Sequence, residues 1–165
     1  MNNQFDDILK RYEAARSAGS SIYLEPDDLT DIAEYYHLHG RLTDAIEAID
    51  LAINMFPGAT QPLTFKARVA ILVNRNAAEA MQWAEKIDDK TDLDYYYIVA
   101  EIMVADQRID EANQYLKAKE NDVCDDDLED YYLDVATLFA DYSCTDITEE
   151  WLKKSSLTTD PQYRE

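Results

Sequence analysis

Two histidines, two cysteines and a crowded run of carboxylates are the residues of this chain that could do chemistry. His37 and His39 stand two apart, just before Gly40. Metal-binding pairs on a helix sit at i and i+4, where both rings share one face. A spacing of two sends the rings to different sides, so they read as polar residues at a helix end. Residues 120–134, ENDVCDDDLEDYYLD, hold eight acids and no base. A calcium loop of the EF-hand kind needs D-x-[DN]-x-[DN]-G and a later Glu, and the Gly is absent. Asp125, Asp126 and Asp127 are expected instead to cap and complement the positive N-terminus of the next helix. Cys144 is flanked by Asp141, Thr145 and Asp146, whereas a reactive thiolate needs a cation or base beside it. No G-x-S-x-G and no Gly-rich phosphate loop occurs. These residues predict no catalytic group, no metal and no cofactor, and hence not an enzyme.

The bulk composition narrows the partners. In 165 residues, 35 Asp+Glu face 15 Lys+Arg, for a formal net charge of −20. That balance excludes the basic stripe of a nucleic-acid binder and the Lys/Arg attraction to anionic membranes. At 47% hydrophobic residues the chain can still bury a core, so the charge does not mean disorder. No apolar run approaches the ~20 residues of a membrane span. Asp6, Asp7, Lys10 and Arg11 interrupt every candidate signal sequence. Two cysteines are no disulfide framework. The expected location is cytoplasmic.

The elements that must carry any site are helices. Phe5, Ile8, Leu9 and Tyr12 follow the i, i+3, i+4, i+7 spacing of one helix face. Residues 20–25 are the one stretch that reads as extended. From Asp27 onward the apolar pattern predicts helices over about 27–39, 42–55, 60–74, 77–88, 93–106, 109–119, 127–141 and 146–156. The three Gly and four Pro fall at their ends. Tyr95–Val99 has high β-propensity, but helical spacing continues through Ile102 and Met103, and the segment is taken as helix.

The helices repeat. Ala33, Ala67, Ala100 and Ala136 recur at intervals of 34, 33 and 36, and Ala45, Ala80, Ala112 and Thr148 form a second series. Antiparallel helices approach closely only where side chains are small, and a period of ~34 is that of a helix–turn–helix repeat. In residues 26–59, Leu29, Ile32-Ala33, Tyr36, Gly40, Ala45, Ile49 and Pro57 resemble a tetratricopeptide repeat. The third unit matches through Tyr96, Val99-Ala100, Met103, Ala112 and Leu116, and the fourth through Tyr132, Val135-Ala136, Phe139 and Leu152. The second departs most: Lys66 precedes Ala67, Ala70 replaces the aromatic, and its turn is one residue longer. The expected fold is an all-α solenoid of antiparallel helix pairs. Residues 1–25 form an N-terminal amphipathic helix and linker, and residues 26–165 form units of about 26–59, 60–92, 93–126 and 127–157. A longer echo, WAEKIDDKTDLDY at 83–95 against WLKKSSLTTDPQY at 151–163, predicts that residues 158–165 open a further, truncated unit.

The resemblance implies that the first helix of each unit lines a concave groove. Carried over by register, the inward residues are Asp27, Thr30, Glu34 and His37, then Gln61, Thr64, Arg68 and Ile71. Asp94, Tyr97, Glu101 and Val104 follow, and then Asp130, Leu133, Thr137 and Ala140. Chaperone-binding members of the family hold a C-terminal carboxylate with Lys, Arg and Asn on this face; here Arg68 alone is basic. An acidic face with Tyr97 suits a basic or amphipathic protein segment, with Asp27, Glu34, His37, Arg68, Asp94, Tyr97, Glu101 and Asp130 as the binding residues. The expected function is a non-catalytic protein-interaction scaffold. The alternatives are a small acidic secretion chaperone of this repeat type and a self-associating piece that forms a homodimer through its exposed last unit.

Overall fold

Short helices begin and end where local chemistry sets the boundary. The computed structural model describes residues 3–155, and among them nine α-helices and no strand. They are α1 (Asn3–Ala18), α2 (Pro26–Leu38), α3 (Leu42–Met55), α4 (Thr60–Leu72), α5 (Ala77–Glu85), α6 (Leu93–Ala105), α7 (Ile109–Lys119), α8 (Leu128–Asp141) and α9 (Thr145–Leu152). Pro26 opens α2, where its missing N–H costs nothing, and Asp27 and Asp28 meet the positive end of the helix dipole. Asn76 caps α5 by accepting from the Glu79 N–H at 3.0 Å. Tyr95–Val99 lies within α6, so tertiary packing overrides its strand propensity.

Each helix pair is closed by the same kind of turn. In the first unit Gly40 has φ +73°, and the Arg41 N–H donates to the Tyr36 carbonyl at 2.8 Å. This is the bond that ends a helix through one left-handed residue. Gln107 (φ +66°) and Ser143 (φ +61°) occupy the same place in the third and fourth units, with Arg108 bonded to Met103 and Cys144 to Phe139. The second unit uses Arg75 (φ +53°), and its Asn76 N–H reaches back to Ala70. Its turn is the longer one the sequence predicted, with four residues between α4 and α5 against three elsewhere.

Helices pair as α2/α3, α4/α5, α6/α7 and α8/α9, and the first helices also stack on one another in the order α2, α4, α6, α8. The small-residue series sits at these crossings. Ala33, Ala45, Ala67, Ala80, Ala100, Ala112 and Ala136 are all buried, while Thr148 is half-buried with its hydroxyl on the Cys144 carbonyl. The core is a chain of three apolar clusters, in which Ile53 packs against both the first and the second and Tyr95 against both the second and the third. Each unit thus buries its apolar face against its neighbours, the packing of a solenoid. α1 lies over the first unit through Phe5, Ile8, Leu9 and the buried Tyr12. Glu13 accepts from Tyr36 at 2.9 Å, and Arg16 pairs with Glu47.

Three expectations need correction. α5 stops at Glu85 rather than near 88, because the Lys90 ammonium takes the Glu85 and Ile87 carbonyls at 2.7 Å each and the Asp88 N–H turns to Gly58. α9 ends at Leu152 rather than 156. Asp125–Asp127 make no side-chain cap; they form a 3₁₀ turn that runs directly into α8. The long echo has a physical core in its described part. Lys86 lies over the Trp83 ring at 4.3 Å and Lys154 over the Trp151 ring at 4.4 Å, the same cation–π pair 68 residues apart. The predicted start of a further unit at 158–165 lies outside the described residues. No helix among those described is long and apolar enough to cross a membrane.

Candidate partner-binding groove

The side chains that rise from the stacked first helices tie one unit to the next. Gln61 on α4 donates to Asp94 on α6 at 2.6 Å, and the Arg68 guanidinium meets Glu101 at 3.1 Å. From α6, the Tyr97 hydroxyl donates to Asp134 on α8 at 3.0 Å. Tyr142, at the end of α8, donates to Glu101 at 3.3 Å. Tyr97 also stacks on the buried Tyr131, with ring centroids 6.0 Å apart. Burial, the Asp134 carboxylate and its hydrogen bond all push the Tyr97 phenol far above its ordinary range, so it stays a neutral donor.

These ties surround an open hollow of about 530 Å³. Arg68, Asp94, Tyr97, Glu101, Thr137 and Tyr142 line it, together with Leu72, Asp134, Leu138 and Asp141. Four carboxylates therefore face one guanidinium, and Glu101 already occupies that guanidinium. The hollow carries a formal charge of −3. A smaller notch of about 190 Å³ adjoins it, sharing Arg68 and Leu72, with Glu34 and His37 on its wall. Burial, followed by repulsion from Asp31, raises the Glu34 carboxyl above its usual value despite Arg68. Burial, then Asp28 and Asp27, does the same to Asp31. Acids along α2 thus crowd one another, and the inner face is short of cations.

Six of the eight residues predicted to bind come together in these two adjoining hollows: Glu34, His37, Arg68, Asp94, Tyr97 and Glu101. Asp27 and Asp130 are exposed in the first turns of α2 and α8 and line neither. Four other positions expected to face inward do not. Thr30, Thr64, Ile71 and Val104 are buried between helices. The Thr30 hydroxyl bonds the Pro26 carbonyl, and the Thr64 hydroxyl has no partner. In the fourth unit the lining residues are Asp134, Thr137, Leu138 and Asp141, where the repeat register pointed to Asp130, Leu133, Thr137 and Ala140. The link into α8 also differs from the others, with two 3₁₀ turns, Glu120–Asp122 and Asp125–Asp127. The Tyr97–Asp134 bond spans 37 residues, whereas the Gln61–Asp94 and Arg68–Glu101 contacts each span 33.

Both histidines make local contacts. His39 bonds the Tyr35 carbonyl through Nδ1 at 2.7 Å, and His37 stands edge-on to Phe65. Cys144 is half-buried at the start of α9, and Cys124 is exposed. Among the described residues no group of three metal-ligating side chains converges.

A stack of antiparallel helix pairs with an open inner face defines an all-α solenoid of tetratricopeptide type, preceded by an extra N-terminal helix. Among solved structures the chain is similar over its full length to one titled "MamA RS-1 ArsTM double mutant", a tetratricopeptide-type protein. The TM-score is 0.55 and the identity 12%, over 100% of this chain and 99% of that one. At that identity the likeness establishes the fold. No family model matches the sequence, and no curated protein matches it.

Proposed function

We propose that the protein is a non-catalytic interaction scaffold that holds a basic segment of a partner protein against its inner face. The observation that carries this reading is the charge of the larger hollow: Asp94, Glu101, Asp134 and Asp141 face Arg68, which is already paired. A carboxylate ligand would meet repulsion there, whereas Lys or Arg side chains would find acceptors on a rigid helical floor. The hydrogen-bonded phenols of Tyr97 and Tyr142 add amphipathic contact area at little entropic cost. The overall charge of −20 would draw a cationic segment in from a distance, in a salt-dependent way. Cys124 and Cys144, both free thiols, suit a cytoplasmic setting.

The test is a fluorescence-anisotropy titration of a labelled lysine-rich peptide at low and at physiological salt. Asp141 and Glu34 are exposed, so an Asp141→Lys/Glu34→Lys variant removes charge without opening the core. The variant is expected to bind at least about tenfold more weakly, a difference of about 1.4 kcal/mol, and with a shallower salt dependence. Equal affinity of the two proteins would remove the acidic hollow from the binding site.

A further inference from the structure

Among the described residues, three of the five large exposed apolar side chains stand at the C-terminal ends of α2 and α4. Leu38, Leu72 and Val73 are 81%, 56% and 50% exposed. Leu38 and Leu72 are equivalent positions, 34 residues apart. Beside them, Phe65, Val69, Leu72 and Val73 form the apolar walls of the 190 Å³ notch, and His37 closes one side with its ring edge-on to Phe65 at 6.2 Å. An apolar cavity of about 150 Å³ takes one benzene-sized group. This notch therefore has room for one medium-sized side chain.

The notch leads into the acidic hollow through Arg68 and Leu72. Beyond Leu72 the floor turns polar, with Asp94, Tyr97 and Asp134 in succession toward α8. A docked amphipathic helix needs apolar anchors at i, i+3, i+4 and i+7, and one notch followed by carboxylates does not offer them. From these features, and resting on the basic-partner reading above, we infer that the ligand is an extended segment with one leucine-sized anchor and basic residues to one side of it. The anchor fills the notch between α2 and α4, and the cations meet Asp94 on α6 and Asp134 on α8. Adjacent helices lie about 8–10 Å apart, and an extended chain covers about 3.3 Å per residue. From a notch midway between α2 and α4, α6 and α8 lie about one and a half and two and a half such spacings away, so the basic residues fall about four and about seven positions from the anchor.

Two labelled peptides test this on the full chain by anisotropy. Both carry Lys at +4 and +7 in a Ser/Gly background; one has Leu and the other Ser at the anchor position. The Leu peptide is expected to bind about tenfold more tightly. Val73→Asp, or the milder Val73→Ser, is expected to erase that difference while leaving the salt-sensitive binding of the Ser peptide in place, since Val73 lines the notch and not the hollow. Equal binding of the two peptides to the wild-type protein overturns the anchor notch and leaves the basic-partner reading standing. Failure of both peptides to bind at low salt overturns that reading, and the notch assignment with it. A Leu preference that survives in both protein variants places the anchor elsewhere and overturns the assignment.

Discussion

Replacing Gly40 by Ala isolates the energy of the turn that closes each helix pair. Gly40 sits at φ +73°, and a Cβ built on it meets no atom within 4 Å. Any loss is therefore backbone strain rather than a clash. An L-residue held in the left-handed region costs about 1–2 kcal/mol, offset by the greater freedom that glycine loses on folding, about 0.5–1 kcal/mol. The net loss is about 1 kcal/mol. For a chain of this size that lowers Tm by about 2–4 °C. The reverse change, Gln107→Gly or Ser143→Gly, relieves the same strain at φ +66° and +61° and is expected to raise Tm by about the same amount. Far-UV circular dichroism melts and urea titrations read both effects, with the urea midpoint moving and the slope constant. An unchanged Gly40→Ala melt, or a destabilised Gln107→Gly protein, would refute the claim that these turns share one strained residue.

Three more predictions come from buried or crowded polar groups. Thr64→Val deletes a buried hydroxyl with no partner. Since such a group costs about 1–3 kcal/mol, the near-isosteric change is expected to raise the urea midpoint; a fall would mean that the hydroxyl is satisfied. Trp151→Phe removes the indole N–H that donates to the buried Asn113 at 2.7 Å. A loss of about 1–3 kcal/mol is expected, and a double-mutant cycle with Asn113→Leu should recover part of it. Glu34→Gln acts through pH. The folded-state pKa of Glu34 is raised, by burial and then by Asp31, so its contribution is favourable below its unfolded pKa and is lost as pH rises through the folded value. The Gln variant should be slightly more stable at pH 7, by no more than about 0.5 kcal/mol at this exposed site, and no more stable below about pH 4. Glu120 runs the other way. Burial acts to raise it, but the Lys154 ammonium and the Tyr132 hydroxyl outweigh burial and hold it low. The stability it supplies is present above its unfolded pKa and lost as pH falls through the folded value.

The helix pairs and their order were legible in the amino-acid sequence. Ala33, Ala67, Ala100 and Ala136 had to be small because two helices meet at each of them, and that demand is local to every unit. The long second turn was legible for the same reason, since residues between helices can be counted. Two kinds of feature were not legible. The left-handed turn positions at Arg75, Gln107 and Ser143 carry no glycine to mark them, and only the closed turn forces them into that region. Of the residues expected to face inward, Arg68, Asp94, Tyr97, Glu101 and Thr137 line the larger hollow, while in the fourth unit Asp134, Leu138 and Asp141 stand there in place of Asp130, Leu133 and Ala140. A helix turns each residue by about 100°, so a small difference in a helix's rotation changes which residues line the hollow while the buried stripe still finds its core. Tertiary structure alone decided that Asp134, Asp141 and Tyr142 share a hollow with Glu101, and that Leu72 joins that hollow to an apolar notch, because these residues meet only once the units stack.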